Sequence, residues 1–352
     1  MEVSSKELRN EGYPVYGANG KIGFYTQYTH EHPTLAITCR GATCGSLHIT
    51  EPTSYINGNA MALDDLRENI NLKFLFYFLS VRGFNDVISG SAQPQITREG
   101  LAKVEIPLPP LPVQQRIADV LDKADALRRK DQELLEKYNE LAQAIFIEMF
   151  GDPVKNEKGW SKDLLKNYYK KGVKCGPFGS ALKKEEFQQE GIPVWNMDNI
   201  QAFDFVDSPN LFVSKDKYSM LKQYEVSEGD IIISRAGTVG KMCVVNSRFK
   251  HSLLSTNLIR LSLDDSRLIP LFFVHLMKYF SRRIGRLKTG SDDGFTHMNT
   301  KVLDNIEIYL PPFALQQAFV TKIELINQLK AKVSAEKSEE LFQSLLQSTF
   351  KE

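Results

Sequence analysis

A chain of 352 residues has room for two domains of ordinary size plus connectors, and 42% hydrophobic residues suffice for packed cores. No stretch approaches the roughly 20 apolar residues of a membrane span, residues 1–10 carry no signal-peptide core, and four cysteines make no disulfide framework, so a cytoplasmic protein is expected. The net charge of +1 neither demands nor excludes a polyanion, but residues 151–312 carry 24 basic and 19 acidic side chains, so that stretch should feel one more strongly than the rest.

Residues 1–107 read as α/β. Leu35-Ala36-Ile37-Thr38-Cys39 is a short strand entering the turn Arg40-Gly41-Ala42-Thr43-Cys44-Gly45. Residues 72–79 are apolar all round and read as a buried helix, and Val104-Glu105-Ile106 reads as a last strand. Leu108-Pro109-Pro110-Leu111-Pro112-Val113-Gln114-Gln115 follows. Paired prolines cannot donate to a sheet but cost nothing in a helix's first turn, so the phrase predicts sheet before it and helix after it.

The helix is predicted over 113–150. Val113, Ile117, Val120, Ala124, Leu127, Leu134, Tyr138, Leu141 and Ile145 follow alternating steps of four and three, with Asp131 in one slot. At 1.5 Å per residue it would run roughly 55 Å and would need a partner. Phe150-Gly151-Asp152-Pro153 stops it.

A second module then repeats the first. Ile231-Ile232-Ile233-Ser234 leads into Arg235-Ala236-Gly237-Thr238-Val239-Gly240, which matches the Arg40 turn at an offset of 195. Pro193-Val194-Trp195-Asn196 echoes Pro14-Val15-Tyr16-Gly17, Gly290-Ser291 echoes Gly90-Ser91, and Ile306-Glu307-Ile308 echoes Val104-Glu105-Ile106. Leu310-Pro311-Pro312-Phe313-Ala314-Leu315-Gln316-Gln317 repeats the junction and opens a second helix over 313–350, with the stripe Leu315, Phe319, Ile323, Ile326, Leu329 and Val333. Residues 334–340 are polar, and Leu341 and Leu345 resume the stripe. The two helices are each other's expected partners. The first module has no counterpart of residues 160–184 and is expected to be N-terminally shortened.

No catalytic signature holds. Gly237-Thr238-Val239-Gly240-Lys241 has the wrong spacing for a phosphate loop, no His-Glu-x-x-His occurs, and the six histidines are scattered. Cys39 and Cys44 suit buried small hydrophobes better than metal ligands. Leu310 precedes Pro311-Pro312 where a DNA amino-methyltransferase needs Asn or Asp, so the chain should not methylate by itself. No metal site and no cofactor are expected.

What remains suits DNA binding, because Asn, Gln, Ser, Thr, Lys and Arg are what base edges and phosphates ask for. The candidates are Asn19, Lys21, Arg40, Thr43, Asn59, Gln93 and Gln95 in the first module. In the second they are Lys183, Asn196, Asn199, Arg235, Thr238, Lys241, Asn257, Arg282, Arg283, Arg286, Lys288 and His297. Such residues also build turns for their own sake. Arg40 and Arg235 recur at corresponding places, although a structural ion pair would explain them too. Residues 278–288 hold five basic side chains and no acid, a phosphate-tracking edge or a solvated helix face.

With its doubled junction and twin helices, the chain resembles the specificity subunit of type I restriction–modification systems. The resemblance implies an α/β (α+β) fold: two similar target-recognition domains, 1–112 and 151–312, separated by two long antiparallel coiled-coil helices, 113–150 and 313–352, in a pseudo-two-fold repeat. It implies a non-catalytic subunit that reads a bipartite site on double-stranded DNA. Two modification subunits using S-adenosylmethionine would methylate adenines, and restriction subunits using ATP and Mg might join them. The rival expectation is a coiled-coil adaptor with two ligand-binding modules and no role with nucleic acid.

Overall fold

The computed structural model describes residues 3–90, 92–153, 155–178, 181–201, 203–235, 240–279 and 299–350. The chain divides into two units, Met1–Leu134 with Val333–Glu352, and Leu135–Lys332.

In the first unit β1 (Tyr13–Gly17), β2 (Gly20–Tyr25), β3 (Leu35–Thr38), β4 (Leu47–Ile49), β5 (Tyr55–Ile56) and β6 (Ala60–Leu63) form two three-stranded sheets, β2-β1-β5 and β4-β3-β6. All four residues of β3 are buried, as an apolar run without alternation requires at the centre of a sheet. Helix α1 (Leu72–Arg82) covers that sheet. The Asn71 side chain caps its start by accepting from the Phe74 N–H, and Gly83, at φ +64°, ends it by donating to the Leu79 carbonyl. The hairpin β7 (Ile88–Ser89) and β8 (Gln95–Ile96) and the short α2 (Arg98–Leu101) complete the domain around Leu35, Ile37, Leu75, Leu79, Phe84 and Ile96. The strand expected at Val104-Glu105-Ile106 is absent: residues 104–110 belong to no strand. The chain then enters α3 (Leu111–Phe150).

The second unit repeats this plan with additions. Before its core come β9 (Ser161–Leu164) and β10 (Tyr169–Cys175). Then follow β11 (Ile192–Trp195), β12 (Ile200–Gln201), β13 (Asp204–Phe205), β14 (Phe212–Val213), α4 (Lys215–Met220), β15 (Ile231–Ser234), β16 (Met242–Val244), β17 (Leu253–Leu254) and β18 (Leu258–Leu263). Helix α5 (Pro270–Tyr279), α6 (Thr300–Asp304) and β19 (Glu307–Leu310) lead to α7 (Phe313–Lys332), and α8 (Ala335–Phe350) closes the chain in the first unit.

Register proves the repeat. Val15 pairs in parallel with Tyr55 as Val194 does with Leu253, and Leu35 pairs with Leu63 as Ile231 does with Leu261. Residues 35–38 therefore correspond to 231–234, and 60–63 to 258–261.

The doubled junction owes its glutamine to backbone chemistry. Gln316, fully buried, donates from Nε2 to the Pro311 carbonyl at 3.0 Å and accepts the Ile269 N–H at 3.2 Å, just before α5. Gln114, equally buried, donates to the Pro109 carbonyl at 2.8 Å and the Asn69 carbonyl at 2.9 Å, and accepts the Asn71 N–H at 2.9 Å, just before α1. One amide thus pins the start of the spacer helix to the start of the domain helix, serving groups that neither helix can satisfy alone.

The expected seam of α3 is half right. Ile117, Ala124, Tyr138 and Ile145 face inward, but Val113, Val120, Leu127, Leu134 and Leu141 are exposed. Their places are taken one residue later by Gln114, Leu121, Arg128, Leu135 and Ala142. Steps of four and three fit two registers one residue apart, and the partner decides between them. Within the first unit Leu121 and Ala124 pack on Phe342 and Leu346 of α8, and the Arg128 guanidinium lies 4.9 Å over the Phe342 ring and bonds Glu339 at 3.1 Å. Within the second, Ala142 and Phe146 pack on Phe319, Ile323 and Ile326 of α7, and Lys330 bonds Asn139 at 2.6 Å. The rising numbers of α3 meet falling numbers of its partner, so the pairing in each unit is antiparallel.

The second spacer helix is not continuous. It breaks at Val333 and Ser334, two poor helix formers where the apolar stripe lapses. After the break the inward residues are Phe342, Leu345 and Leu346, while Leu341 is exposed.

Candidate nucleic-acid interface

Each domain gathers its loops at one end of its sheets. In the first unit the turn between β1 and β2 is tied to the turn between β3 and β4: the Thr38 and Thr43 hydroxyls both donate to the Ala18 carbonyl, at 2.9 and 2.7 Å. The Cys39 N–H donates to the Asn59 carbonyl at 3.0 Å, placing the β5–β6 turn beside them. Arg40 forms a β-bridge with Gln95, and the Gly41 N–H donates to the Pro94 carbonyl at 3.1 Å. Gly41 and Gly45 take φ of +91° and +93°, which a side chain would strain.

This brings Asn19, Arg40, Thr43, Asn59, Gln93 and Gln95 together on one rim. Asn19, Arg40, Asn59, Gln93 and Gln95 are exposed. A recess of about 490 Å³ opens there, with Ser4, Ser5, Asn19, Asn57 and Asn59 in its walls. Lys21 is not part of the rim. It pairs with Glu51 at 2.8 Å and lines a separate recess with His48, Lys73, Asp122 and Arg129. There burial pulls the His48 imidazole below its usual pKa, and burial followed by a hydrogen bond to Asp122 pushes the Tyr77 phenol above its own.

In the second unit the same end carries Arg235, Lys241, Asn257 and Asn196. The Arg235 N–H donates to the Asn257 carbonyl at 2.9 Å and the Ser255 N–H to the Trp195 carbonyl at 2.9 Å. Asn196 caps its own turn, accepting from the Asp198 N–H at 2.7 Å and donating to Asn210 at 2.6 Å. Lys183 is exposed, and its N–H donates to Glu186 as that of Ser4 does to Glu7.

Two expectations need correction. Asn199 is fully buried, its Oδ1 accepting the Asn196 N–H and its Nδ2 donating to the Val206 and Ser208 carbonyls, so it supports the turn and cannot reach a ligand. Arg40 and Arg235 do not hold equivalent places either. Arg235 donates its N–H to Asn257 where Cys39, not Arg40, donates to Asn59, because the first turn is one residue longer. Thr238, Arg282, Arg283, Arg286, Lys288 and His297 lie outside the described residues.

Sequence reasoning missed Phe178. It is 59% exposed, and the Arg235 guanidinium stacks 4.5 Å from its ring centroid. Gly176-Pro177-Phe178-Gly179 was the available signal, an aromatic no core pattern claims. Near it Arg235 Nε, Trp195 Nε1 and Ser255 Oγ are buried with no hydrogen-bond partner among the described residues. Among the described residues no three His, Cys, Asp or Glu side chains converge as a metal site, and no helix is long and apolar enough to cross a membrane.

Comparison with known proteins agrees with this arrangement. A putative type I restriction enzyme specificity subunit of Haemophilus influenzae is 24% identical over 336 residues, 90% of this chain and 80% of the relative. A type I restriction enzyme specificity subunit of Methanocaldococcus jannaschii is 22% identical over 87% of this chain and 76% of its own length. The crystal structure of the type I restriction–modification S subunit of M. genitalium shares the fold, with a TM-score of 0.66 at 18% identity, covering 98% of this chain and 90% of that one. The family model for the type I restriction modification DNA specificity domain matches twice, over residues 2–137 and 177–341, one match for each copy of the repeat. Two matched copies over most of the chain, each ending in a spacer helix, place it in the family of type I restriction–modification DNA specificity subunits.

Proposed function

We propose that this chain, a DNA sequence-recognition subunit, reads a bipartite site with one rim per half-site and has no catalytic step of its own. The first rim offers Asn19, Arg40, Asn59, Gln93 and Gln95; the second offers Arg235 on Phe178, Asn257, Lys241 and Lys183. The observation that carries the reading is that two separate loop clusters present amide and guanidinium groups at the ends of corresponding strands. Such groups pair bidentately with adenine and guanine edges in the major groove, and lysines serve the phosphates.

In this reading the paired spacer helices set the interval between half-sites. Adenine methyltransferase subunits carrying S-adenosylmethionine dock on the chain, and restriction subunits using ATP and Mg join where the system has them. A solved structure of similar fold, TM-score 0.51, is described as bearing on complex assembly of a type I system, which supports assembly here. The test is a footprint with the cognate methyltransferase. Protection of two short blocks separated by an unprotected interval supports the reading; a single block counts against it, and binding indifferent to salt favours the adaptor.

A further inference from the structure

The second rim holds one cationic side chain against a ring that is itself anchored. Strand β18 lies between β10 and β15 and runs antiparallel to both, with Cys175 opposite Ile259 and Ser234 opposite Leu258. Both neighbours therefore end where β18 starts, and the chain leaves them on either side of it. The Gly176 N–H donates to the Leu258 carbonyl at 2.9 Å, and the Arg235 N–H to the Asn257 carbonyl at 2.9 Å. Gly176 is buried so close to Ser255 that a Cβ there would lie 1.8 Å from the Ser255 carbonyl oxygen. Pro177, also buried, fixes the next φ. Phe178 leaves that anchored backbone with its ring exposed, and the Arg235 guanidinium lies 4.5 Å from the ring centroid.

The stack sets the plane of the guanidinium and limits which of its nitrogens can be used. Nε is buried without a partner. That leaves the two terminal nitrogens, neither of which has a hydrogen-bond or ion-pair partner among the described residues. Lys241 on the same rim is the flexible point charge that suits a phosphate, whereas Arg235 presents a flat pair of donors in a set direction. The corresponding ladder place in the first domain holds Cys39, 8% exposed, so the contact that Arg235 makes belongs to the second domain.

The chemistry of that edge selects its base. Both nitrogens donate and neither can accept. In the major groove adenine sets an acceptor beside a donor, cytosine presents a donor, and thymine presents an acceptor beside a methyl group. Guanine presents two adjacent acceptors, O6 and N7, and a guanidinium edge meets both at once. An all-donor edge held in one plane is therefore matched by guanine and opposed by the donor of adenine or cytosine.

We propose that Arg235, held on Phe178, reads a guanine through O6 and N7, so that the half-site taken by the second domain contains a fixed G·C pair. Arg235 determines the base, and Phe178 is a positioning residue that acts through it. The proposal rests on the reading of this chain as a DNA sequence-recognition subunit and adds the identity of one base to it.

The test uses the full chain with its cognate methyltransferase, whose methylated adenines first locate the site. One half should contain a G·C pair that Arg235→Ala relaxes, with the other half and the interval unchanged. Duplexes of that site then carry guanine, adenine, 7-deazaguanine, which lacks the N7 acceptor, or hypoxanthine, which keeps O6 and N7. Adenine should cost the wild-type complex roughly 5- to 150-fold in affinity, 7-deazaguanine part of that, and hypoxanthine should bind like guanine. Phe178→Leu should shrink the difference between guanine and 7-deazaguanine, and Phe178→Tyr, which keeps the ring, should preserve it. The duplex series and the Phe178 pair decide the matter even where Arg235→Ala is too unstable to purify. Guanine and 7-deazaguanine bound alike by the wild-type complex, a split site in which Arg235→Ala relaxes no position, or equal weakening of every duplex by Arg235→Ala, the mark of a phosphate contact, would each overturn the proposal and leave DNA recognition standing. Methylation at no split site would remove both.

Discussion

Replacing Gln316 by Leu isolates what the doubled junction does. The side chain keeps its approximate volume, but the Ile269 N–H and the Pro311 carbonyl lose their partners in a site that is 0% exposed. An unpaired buried backbone group costs about 1–3 kcal/mol, so two cost about 2–6 kcal/mol, partly offset by about 1 kcal/mol from the more apolar side chain. A net loss of about 1–5 kcal/mol is expected, read from urea unfolding together with exchange of the Ile269 and Phe273 amides at the start of α5. Gln316→Glu sharpens the experiment. At neutral pH its carboxylate faces the Pro311 carbonyl with no proton to donate, and it is buried without a cation, so it should be worse than Leu. Acidification should restore part of the loss as the acid regains a donor. A loss below about 0.5 kcal/mol for Gln316→Leu, the range of an indifferent surface change, would refute the pinning role.

The register of α3 predicts that Leu121→Ala, at 1% exposure, destabilises by about 2–5 kcal/mol while Val120→Ala, at 46%, stays within about 0.5 kcal/mol; equal effects in thermal unfolding would contradict it. His275 predicts an acid-sensitive limb. Burial first, then the Lys278 and Lys330 charges, hold the ring near about 3 against 6.5 when unfolded, so only the unfolded chain takes up that proton between those values. Its contribution is complete above pH 6.5 and falls as the pH drops towards 3, by about 1.4 kcal/mol per unit, and His275→Phe should flatten that slope in urea titrations. For DNA, Arg235→Ala or Arg40→Ala should weaken binding by about 1–3 kcal/mol if the side chain meets a base, and Lys241→Ala should instead lower the salt slope by about one. Titrations across salt concentrations separate the two, and no change in either would remove these residues from the interface.

The sequence made the architecture legible where backbone chemistry leaves marks. Paired prolines announced both junctions, and the Arg-Gly-Ala-Thr turn and its partner announced the repeat that the ladders confirm. Where side chains choose between near-equal alternatives, it misled. The seam of α3 was placed one residue early at alternate positions, because five exposed branched residues recur with the same period as the buried set. Val104-Glu105-Ile106 looked like its sibling strand, which pairs with β9, but a strand needs a neighbour, and none of the described residues of the first unit pairs with 104–106. At the rims, residue type found the loops but not the roles. Asn199 reads like Asn196 yet spends its whole amide on three backbone groups, and Lys21 lies two residues from Asn19 but faces Glu51. Phe178 matters through Arg235, a contact no spacing encodes.

The most direct test of twin readers on one chain is to map methylated adenines in DNA exposed to this chain and its cognate methyltransferase, then to repeat the map after exchanging residues 1–107 for those of a relative. One half of the recognised site should change while the other half and the interval stay as they were. A change in both halves, or in neither, would contradict the assignment of one half-site to each domain.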